Sequence, residues 1–255
     1  MKTYIVGNWK MHFTVGEASI FLHKIMRKLH AARDLVVAVA PSMIALQPLS
    51  MQIDRRKIKL AAQNVYHQDF GTFTGEVAAA QLHGIADYCI IGHSERRYIF
   101  HESDKEIRDK VAACIRNRIT PILCIGETEA ERTFNETKDV IHDQLFGGLS
   151  NVAIEDIPKV IIAYEPIWAI SSTQDARMAA PDDVAEIAKM VHKMLSTTYG
   201  AKVADQVPFL FGGSVNTSNA GAYLTTPGVN GLLIGKSSLT LDPFIDIIET
   251  AKKVK

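Results

Sequence analysis

The amino-acid sequence predicts an α/β protein: one closed (β/α)8 barrel, with eight parallel strands and helices outside, spanning residues 1–255 as a single domain. Three observations lead there. The chain has 255 residues, ordinary for one barrel of this kind and long for most other single domains. Eight short β-type runs recur along it, most of them nearly continuous Val, Ile, Leu and Ala. Between the runs lie stretches with helical spacing, so strand and helix alternate from end to end.

The runs are Tyr4–Trp9, Leu35–Ala40, Ile58–Gln63, Tyr88–His93, Pro121–Gly126, Val160–Glu165, Val207–Gly212 and Gly231–Gly235. A strand that is apolar on both faces belongs in a parallel sheet covered on both sides; a half-wet antiparallel strand alternates with polar residues instead. Ile20, Ile25 and Leu29 mark one helix, and Ile107, Val111 and Ile115 another. Ser103-Asp104-Lys105-Glu106 and Thr128-Glu129-Ala130-Glu131 read as capping boxes, with a hydroxyl at the N-cap and a carboxylate three residues on. Pro181-Asp182-Asp183 suits a first helical turn. No linker, repeat or low-complexity segment interrupts the series. An open doubly wound sheet is the alternative; it usually carries Gly-x-Gly-x-x-Gly after its first strand, where this chain has Gly7-Asn8-Trp9-Lys10-Met11.

Apolar residues make up 47% of the chain, enough for a large core, and 28 Lys+Arg balance 28 Asp+Glu. A neutral chain lacks the excess of basic charge that nucleic-acid binding requires, so no nucleic-acid partner is expected. No apolar window of about 18 residues is present, so no membrane span is expected. The apolar run after Met1 is too short for a signal peptide. Cys89, Cys114 and Cys124 form no Cys-x-x-Cys, which points to a reducing cytoplasm without disulfides. Cys89 and Cys124 sit inside apolar runs and read as small buried hydrophobes. His23, His67, His83, His142 and His192 show no metal-ligand spacing and read as surface or packing residues. No metal and no organic cofactor is expected.

In a barrel of this class the active face is built at the C-terminal ends of the strands, so the polar residues there carry the functional reading. The first run ends in Asn8-Trp9-Lys10, where a lysine supplies a fixed positive charge for an anionic substrate; the plainer reading is a solvated lysine. The fourth ends in Gly92-His93-Ser94-Glu95. A helix start disfavours imidazolium, so a neutral His93 would donate a hydrogen bond to a carbonyl; a satisfied structural histidine fits the position equally well. The sixth ends in Tyr164-Glu165-Pro166-Ile167-Trp168. A carboxylate closing an apolar strand is costly without a task or a partner, and burial is expected to raise its pKa and make it a better base. The bland alternative is an ion pair at the rim. Pro166 stiffens the following loop and Trp168 anchors it, as in a lid. The last two runs end in Gly212-Gly213-Ser214 and Gly235-Lys236-Ser237, glycine-rich turns that form a phosphate cradle at this place in a barrel, although turns call for glycine in any case.

Taken together, these segments resemble triosephosphate isomerases. The resemblance runs the length of the chain, through Gly7-Asn8-Trp9-Lys10, Phe73-Thr74-Gly75-Glu76, Gly92-His93-Ser94-Glu95-Arg96-Arg97, Cys124-Ile125-Gly126-Glu127-Thr128, Ala163-Tyr164-Glu165-Pro166-Ile167-Trp168-Ala169-Ile170 and Gly231-Leu232-Leu233-Ile234-Gly235. It implies the TIM barrel and the interconversion of dihydroxyacetone phosphate and D-glyceraldehyde 3-phosphate, a step of glycolysis and gluconeogenesis, without a cofactor. The roles it implies are those already established for the family. Glu165 is the base and His93 polarises the carbonyl. Lys10 and Asn8 stabilise the enediolate, and Glu95 supports the site. Ser171, Ser214, Gly213, Gly235 and Lys236 hold the phosphate. Pro166, Ile167, Trp168, Ala169 and Ile170 belong to the lid. The resemblance also implies a homodimer, with Thr74 entering the partner near Asn8 and Lys10 and Glu76 pairing with the partner's Arg96.

Three departures stand out. Ser171-Ser172-Thr173-Gln174 replaces the family's Gly-Thr-Gly-Lys, with about three extra residues before Pro181. Phe211 stands where the family commonly has a tyrosine that latches the lid, and Lys236 stands where it usually has a second glycine. Two other functions are compatible with a phosphate-binding barrel: a different phosphate-handling enzyme, such as an indole-glycerol phosphate or phosphoribosyl enzyme, or a catalytically silent barrel kept for binding. The Asn-x-Lys, His and Glu trio argues against the first, and the presence of both Glu165 and His93 against the second.

Overall fold

The computed structural model describes residues 2–169 and 178–254. Eight parallel strands follow one another around a closed barrel: β1 (Thr3–Asn8), β2 (Leu35–Ala40), β3 (Lys59–Ala62), β4 (Tyr88–Ile91), β5 (Thr120–Ile125), β6 (Ile161–Tyr164), β7 (Phe209–Phe211) and β8 (Gly231–Ile234). β8 returns to β1, with Tyr4 opposite Gly231 and Gly7 opposite Ile234. The sheet therefore has no edge, and the doubly wound alternative is excluded. The helices are α1 (Val15–Lys28), α2 (Met43–Ser50), α3 (Ala79–Leu82), α4 (Ser94–Tyr98), α5 (Asp104–Arg116), α6 (Glu129–Thr133), α7 (Thr137–Leu149), α8 (Pro181–Tyr199), α9 (Ala201–Ala204), α10 (Ala220–Thr225) and α11 (Leu241–Lys253).

The continuous apolar runs are explained by two cores that share the strands. One set of side chains fills the barrel interior: Ala38, Ala40, Ala61, Cys124 and Ala163 beside Val6, Ile90, Ile122, Ile161, Leu210 and Leu233. The alternate residues, such as Leu60, Ile91, Leu123, Ile162 and Tyr164, pack outward against the helices. Period-2 alternation of a strand with both faces buried gives this division. Tyr4 and Tyr88, edge to face at 6.4 Å, pack against the inner cluster at the strands' N-terminal ends.

Four of the eight runs are one or two residues longer than the strands they mark, three match their strands in length and one exceeds its strand by three. β7 is the shortest, Phe209–Phe211 against a run of Val207–Gly212; Pro208 lacks an N–H for the ladder and the glycines leave it. As a result Trp9, His93, Glu165 and Gly235 lie just past the strands, where the chain turns over the barrel mouth. The two expected capping boxes form, at Ser103 and Thr128, and a third joins them at Thr14 with Glu17. Pro181 opens α8 with the Asp183 carboxylate accepting the Ala180 N–H at 3.2 Å. One expectation is corrected: α1 buries Ala18, Leu22 and Ile25, whereas Ile20 is exposed and Leu29 lies just beyond the helix. The three cysteines are buried and free. No described helix is long and apolar enough to cross a membrane.

Candidate active site

The strand ends bring Asn8, Lys10, His93, Glu165, Gly212, Gly213 and Gly235 around one small cavity at the C-terminal mouth of the barrel. It adjoins a wider one of about 440 Å³ shared by Asn8, Lys10, Gln63, Glu76, His93, Glu95 and Arg96. A larger cavity, about 590 Å³, lies between α8, α9 and the start of β7 and holds none of the predicted residues; the chemistry of the lining, not size, locates the site.

β1 hands over to Lys10 in a left-handed conformation, φ +50°, uncommon for a residue with a Cβ. Its N–H donates to Asn8 Oδ1 at 3.1 Å, and its Nζ lies 2.6 Å from Glu95 Oε1. Asn8 is buried, and with its Oδ1 turned inward its amide nitrogen remains as a donor. Gln63, just past β3, donates from Nε2 to the carbonyls of Lys10 and Ala40, both at 2.8 Å.

β4 is released by Gly92 at φ +68°, a conformation that suits glycine. His93 follows, buried, as the N-cap of α4, with Nδ1 accepting the Glu95 N–H at 3.2 Å. A ring nitrogen that accepts carries no proton, so the hydrogen bond assigns a neutral ring with its proton on Nε2. His93 Nδ1 also lies 3.6 Å from Glu95 Oε2, too far for a hydrogen bond, and the shorter backbone contact decides the tautomer. Nε2 then points at Glu165 Oε1, 3.2 Å away.

Glu165 is buried; its Oε2 also accepts the Ser94 N–H at 3.3 Å. Burial is the largest single influence on this carboxyl and raises its pKa; a charged His93 ring opposes it most, then hydrogen bonds from His93 and the Ser94 N–H and the Lys10 charge, and with the ring charged the group lies below its ordinary value. The expectation of a raised pKa counted desolvation and not these opposing donors and charges; with the neutral ring assigned above, the hydrogen bonds and Lys10 remain against burial. Gly212 makes room for it, since a Cβ there would sit 2.8 Å from Glu165 Cγ.

A family model for triosephosphate isomerase matches residues 3–251.

The chain belongs to the triosephosphate isomerase family.

Curated triosephosphate isomerases agree. That of Flavobacterium johnsoniae is 36% identical over 248 residues, covering 97% of this chain and 98% of the relative. That of Chloroherpeton thalassium is 37% identical over 253 residues, 98% of this chain and 99% of the relative. That of Carboxydothermus hydrogenoformans is 38% identical over 249 residues, 97% and 98% respectively.

Within that triosephosphate isomerase framework, the connection after β6 is anchored at its described start. Residues Ile167–Ala169 form a 3-10 turn, and Trp168 Nε1 and the Tyr164 hydroxyl donate to one oxygen of the fully buried Glu127, at 2.9 and 3.0 Å. The Arg132 guanidinium stacks on the Trp168 ring at 4.6 Å. Ser214 donates from both N and Oγ to Ala169 O, at 3.0 and 2.7 Å, so its hydroxyl is engaged with this connection. Ile170 and Ser171 lie outside the described residues. Lys236 opens a 3-10 turn (Lys236–Leu239) with its side chain exposed, and it is not among the cavity's lining residues.

Thr74 and Glu76 are exposed in a turn closed by Glu76 N–H to Phe73 O at 3.1 Å. Within the chain Arg96 donates to Glu102 Oε1 at 3.0 Å and lies over Phe100. Sequence reading assigned no role to Gln63, Ser94, Glu127 and Tyr223. Gln63 and Glu127 carry a usable signal, a polar residue closing or following a buried apolar run, the same one that picked out Glu165. Tyr223 carries none: its hydroxyl donates to Ala179 O at 2.7 Å while its ring packs on Phe211 at 4.2 Å.

Proposed function

We propose that the chain, one barrel domain over residues 1–255, interconverts dihydroxyacetone phosphate and D-glyceraldehyde 3-phosphate through an enediolate, as its family membership implies. The observation that carries this is the 3.2 Å approach of His93 Nε2 to Glu165 Oε1 across a cavity that Lys10 and Asn8 also line. A base, a neutral proton donor and a cation then face one small volume. Glu165 removes a proton from the carbon beside the substrate carbonyl. His93 Nε2–H and the Asn8 amide donate to the oxygens where charge develops, and the Lys10 ammonium, steadied by Glu95, stabilises that charge. Glu165 returns the proton to the neighbouring carbon, while His93 moves a proton between the two oxygens. When substrate draws Glu165 off its donors at His93 and Ser94, burial remains, raises its pKa and makes it a better base.

The phosphate is assigned to Gly213, Gly235, the Lys236 backbone, Ser214 and Ser171. Pro166, Ile167, Trp168, Ala169 and Ile170 belong to a lid over it, its described start held by Glu127 and Ser214. A homodimer, with Thr74 and Glu76 reaching the partner's Lys10 and Arg96, accounts for the exposed apolar residues Met11, Phe70, Ile99 and Phe100. A cytoplasmic location fits the free, buried cysteines. A coupled assay supplying dihydroxyacetone phosphate tests the reading. Turnover that falls by orders of magnitude in Glu165→Asp, because a shift of about 1 Å in a reacting group costs roughly a hundredfold, supports it. An inactive wild-type chain, or a variant with most of the turnover left, overturns it.

A further inference from the structure

Lys10 holds its ammonium at the cavity from a backbone conformation that a lysine adopts only under constraint. Its φ is +50°, in the left-handed region where Cβ crowds the following carbonyl. Something outside the turn has to favour that conformation over the ordinary one. Its own neighbours supply one contact, Lys10 N–H to Asn8 Oδ1 at 3.1 Å. The other comes from far along the chain. Gln63 Nε2 lies 2.8 Å from Lys10 O and 2.8 Å from Ala40 O. An amide nitrogen has two protons, and both are used; two carbonyl acceptors also fix which end of the amide is nitrogen. Ala40 O in turn accepts the Trp9 N–H at 3.0 Å. One side chain, emerging from β3, thus ties the end of β2 to the turn after β1.

We propose that Gln63 is a positioning residue for Lys10: its amide holds the lysine backbone in the left-handed turn and so aims Nζ at Glu95 and the anion-binding cavity. This rests on the isomerase reading above, in which Lys10 supplies the positive charge for the substrate. Without the amide, the Lys10 carbonyl loses its donor and the turn relaxes toward negative φ. The ammonium is then displaced while the barrel, whose strand ladders do not involve Gln63, stays closed. A glutamate could not substitute, because a carboxylate would face two carbonyl oxygens with no proton to give.

The test uses the full chain with Gln63→Met, similar in length and without donors, in the wild-type and Lys10→Met backgrounds. Turnover is measured by coupled assay and affinity for inorganic phosphate by calorimetry. Gln63→Met should lower kcat/KM by about tenfold to a hundredfold and weaken phosphate severalfold. In the Lys10→Met background it should change phosphate affinity by less than twofold, because the group it positions is gone. An equal loss in both backgrounds would show that Gln63 acts on the barrel generally and overturns the proposal; so would no loss in either. Should Gln63→Met fail to fold, Gln63→Leu, also without donors and uncharged, carries the same comparison. A wild-type chain without isomerase activity sinks the functional reading, whereas an active chain in which Gln63 and Lys10 contribute independently sinks this proposal alone.

Discussion

Adding one methyl group at Gly212 should disable the site while leaving the barrel intact. The backbone there is not left-handed, so alanine is allowed and the effect is purely steric. An ideal Cβ would stand 2.8 Å from Glu165 Cγ, 3.4 Å from its Oε1 and 3.5 Å from Leu233 Cβ. Carbon atoms rest at about 3.5–4.0 Å, so Glu165 Cγ must retreat by roughly 0.7 Å or more. A displacement near 1 Å at a reacting group costs about a hundredfold, which puts the expected loss of turnover for Gly212→Ala at roughly ten- to a hundredfold. Overpacking of this kind also destabilises by about 1–3 kcal/mol, and for a chain of this size each kcal/mol lowers Tm by roughly 2–4 °C. The assay is coupled turnover of dihydroxyacetone phosphate beside a thermal melt. The stability cost should largely disappear when Glu165→Ala removes the atom in the way. Near-wild-type turnover in a folded Gly212→Ala protein, or the same Tm loss in both backgrounds, would refute the steric argument.

Three other outcomes are expected. Sedimentation of the native chain should show a dimer at assay concentration, with activity lost on dilution to monomers; a fully active monomer contradicts the proposed exchange of Thr74 and Glu76 between subunits. Lys236→Gly should keep near-normal phosphate affinity but with a shallower salt dependence, since the exposed ammonium adds screened, long-range attraction; identical salt dependence means the side chain plays no part. Tyr223→Phe removes the hydroxyl on Ala179 O, a hydrogen bond worth about 0.5–1.5 kcal/mol, so methylglyoxal released per turnover should rise roughly two- to twelvefold as the enediolate is exposed for longer. Unchanged methylglyoxal would separate Tyr223 from lid closure.

The barrel was legible because strands buried on both faces must be apolar throughout, and eight such runs leave little else to build. The residues of the candidate site were legible for a related reason: Asn8, His93 and Glu165 are polar residues terminating apolar runs, which is anomalous in a core and expected at a barrel mouth. Contacts made by closure were not legible. Nothing local to Gln63 says that its amide will meet the carbonyl of Lys10, 53 residues away. The direction of the Glu165 shift depends on donors from β4 and β1 that only the closed barrel brings near. Ile20 fits helical spacing yet faces solvent, because spacing identifies a helix and leaves its buried side to packing. The absent hydroxyl at Phe211 reads in sequence as a loss. In the structure a hydroxyl stands one ring away, on Tyr223, packed against Phe211 and bonded to Ala179.

Glu165 is proposed to carry a proton between adjacent carbons of a triose phosphate. This transfer is tested most directly by running the reaction in D2O and locating deuterium in the product by NMR, for the wild type and for Glu165→Gln. D-glyceraldehyde 3-phosphate labelled at C2 is expected from the wild type, in at least part of the product, and no enzyme-dependent product from Glu165→Gln, whose amide cannot accept the proton. Turnover and label retained in Glu165→Gln would contradict that role, as would rapid wild-type turnover that never exchanges with solvent under any condition.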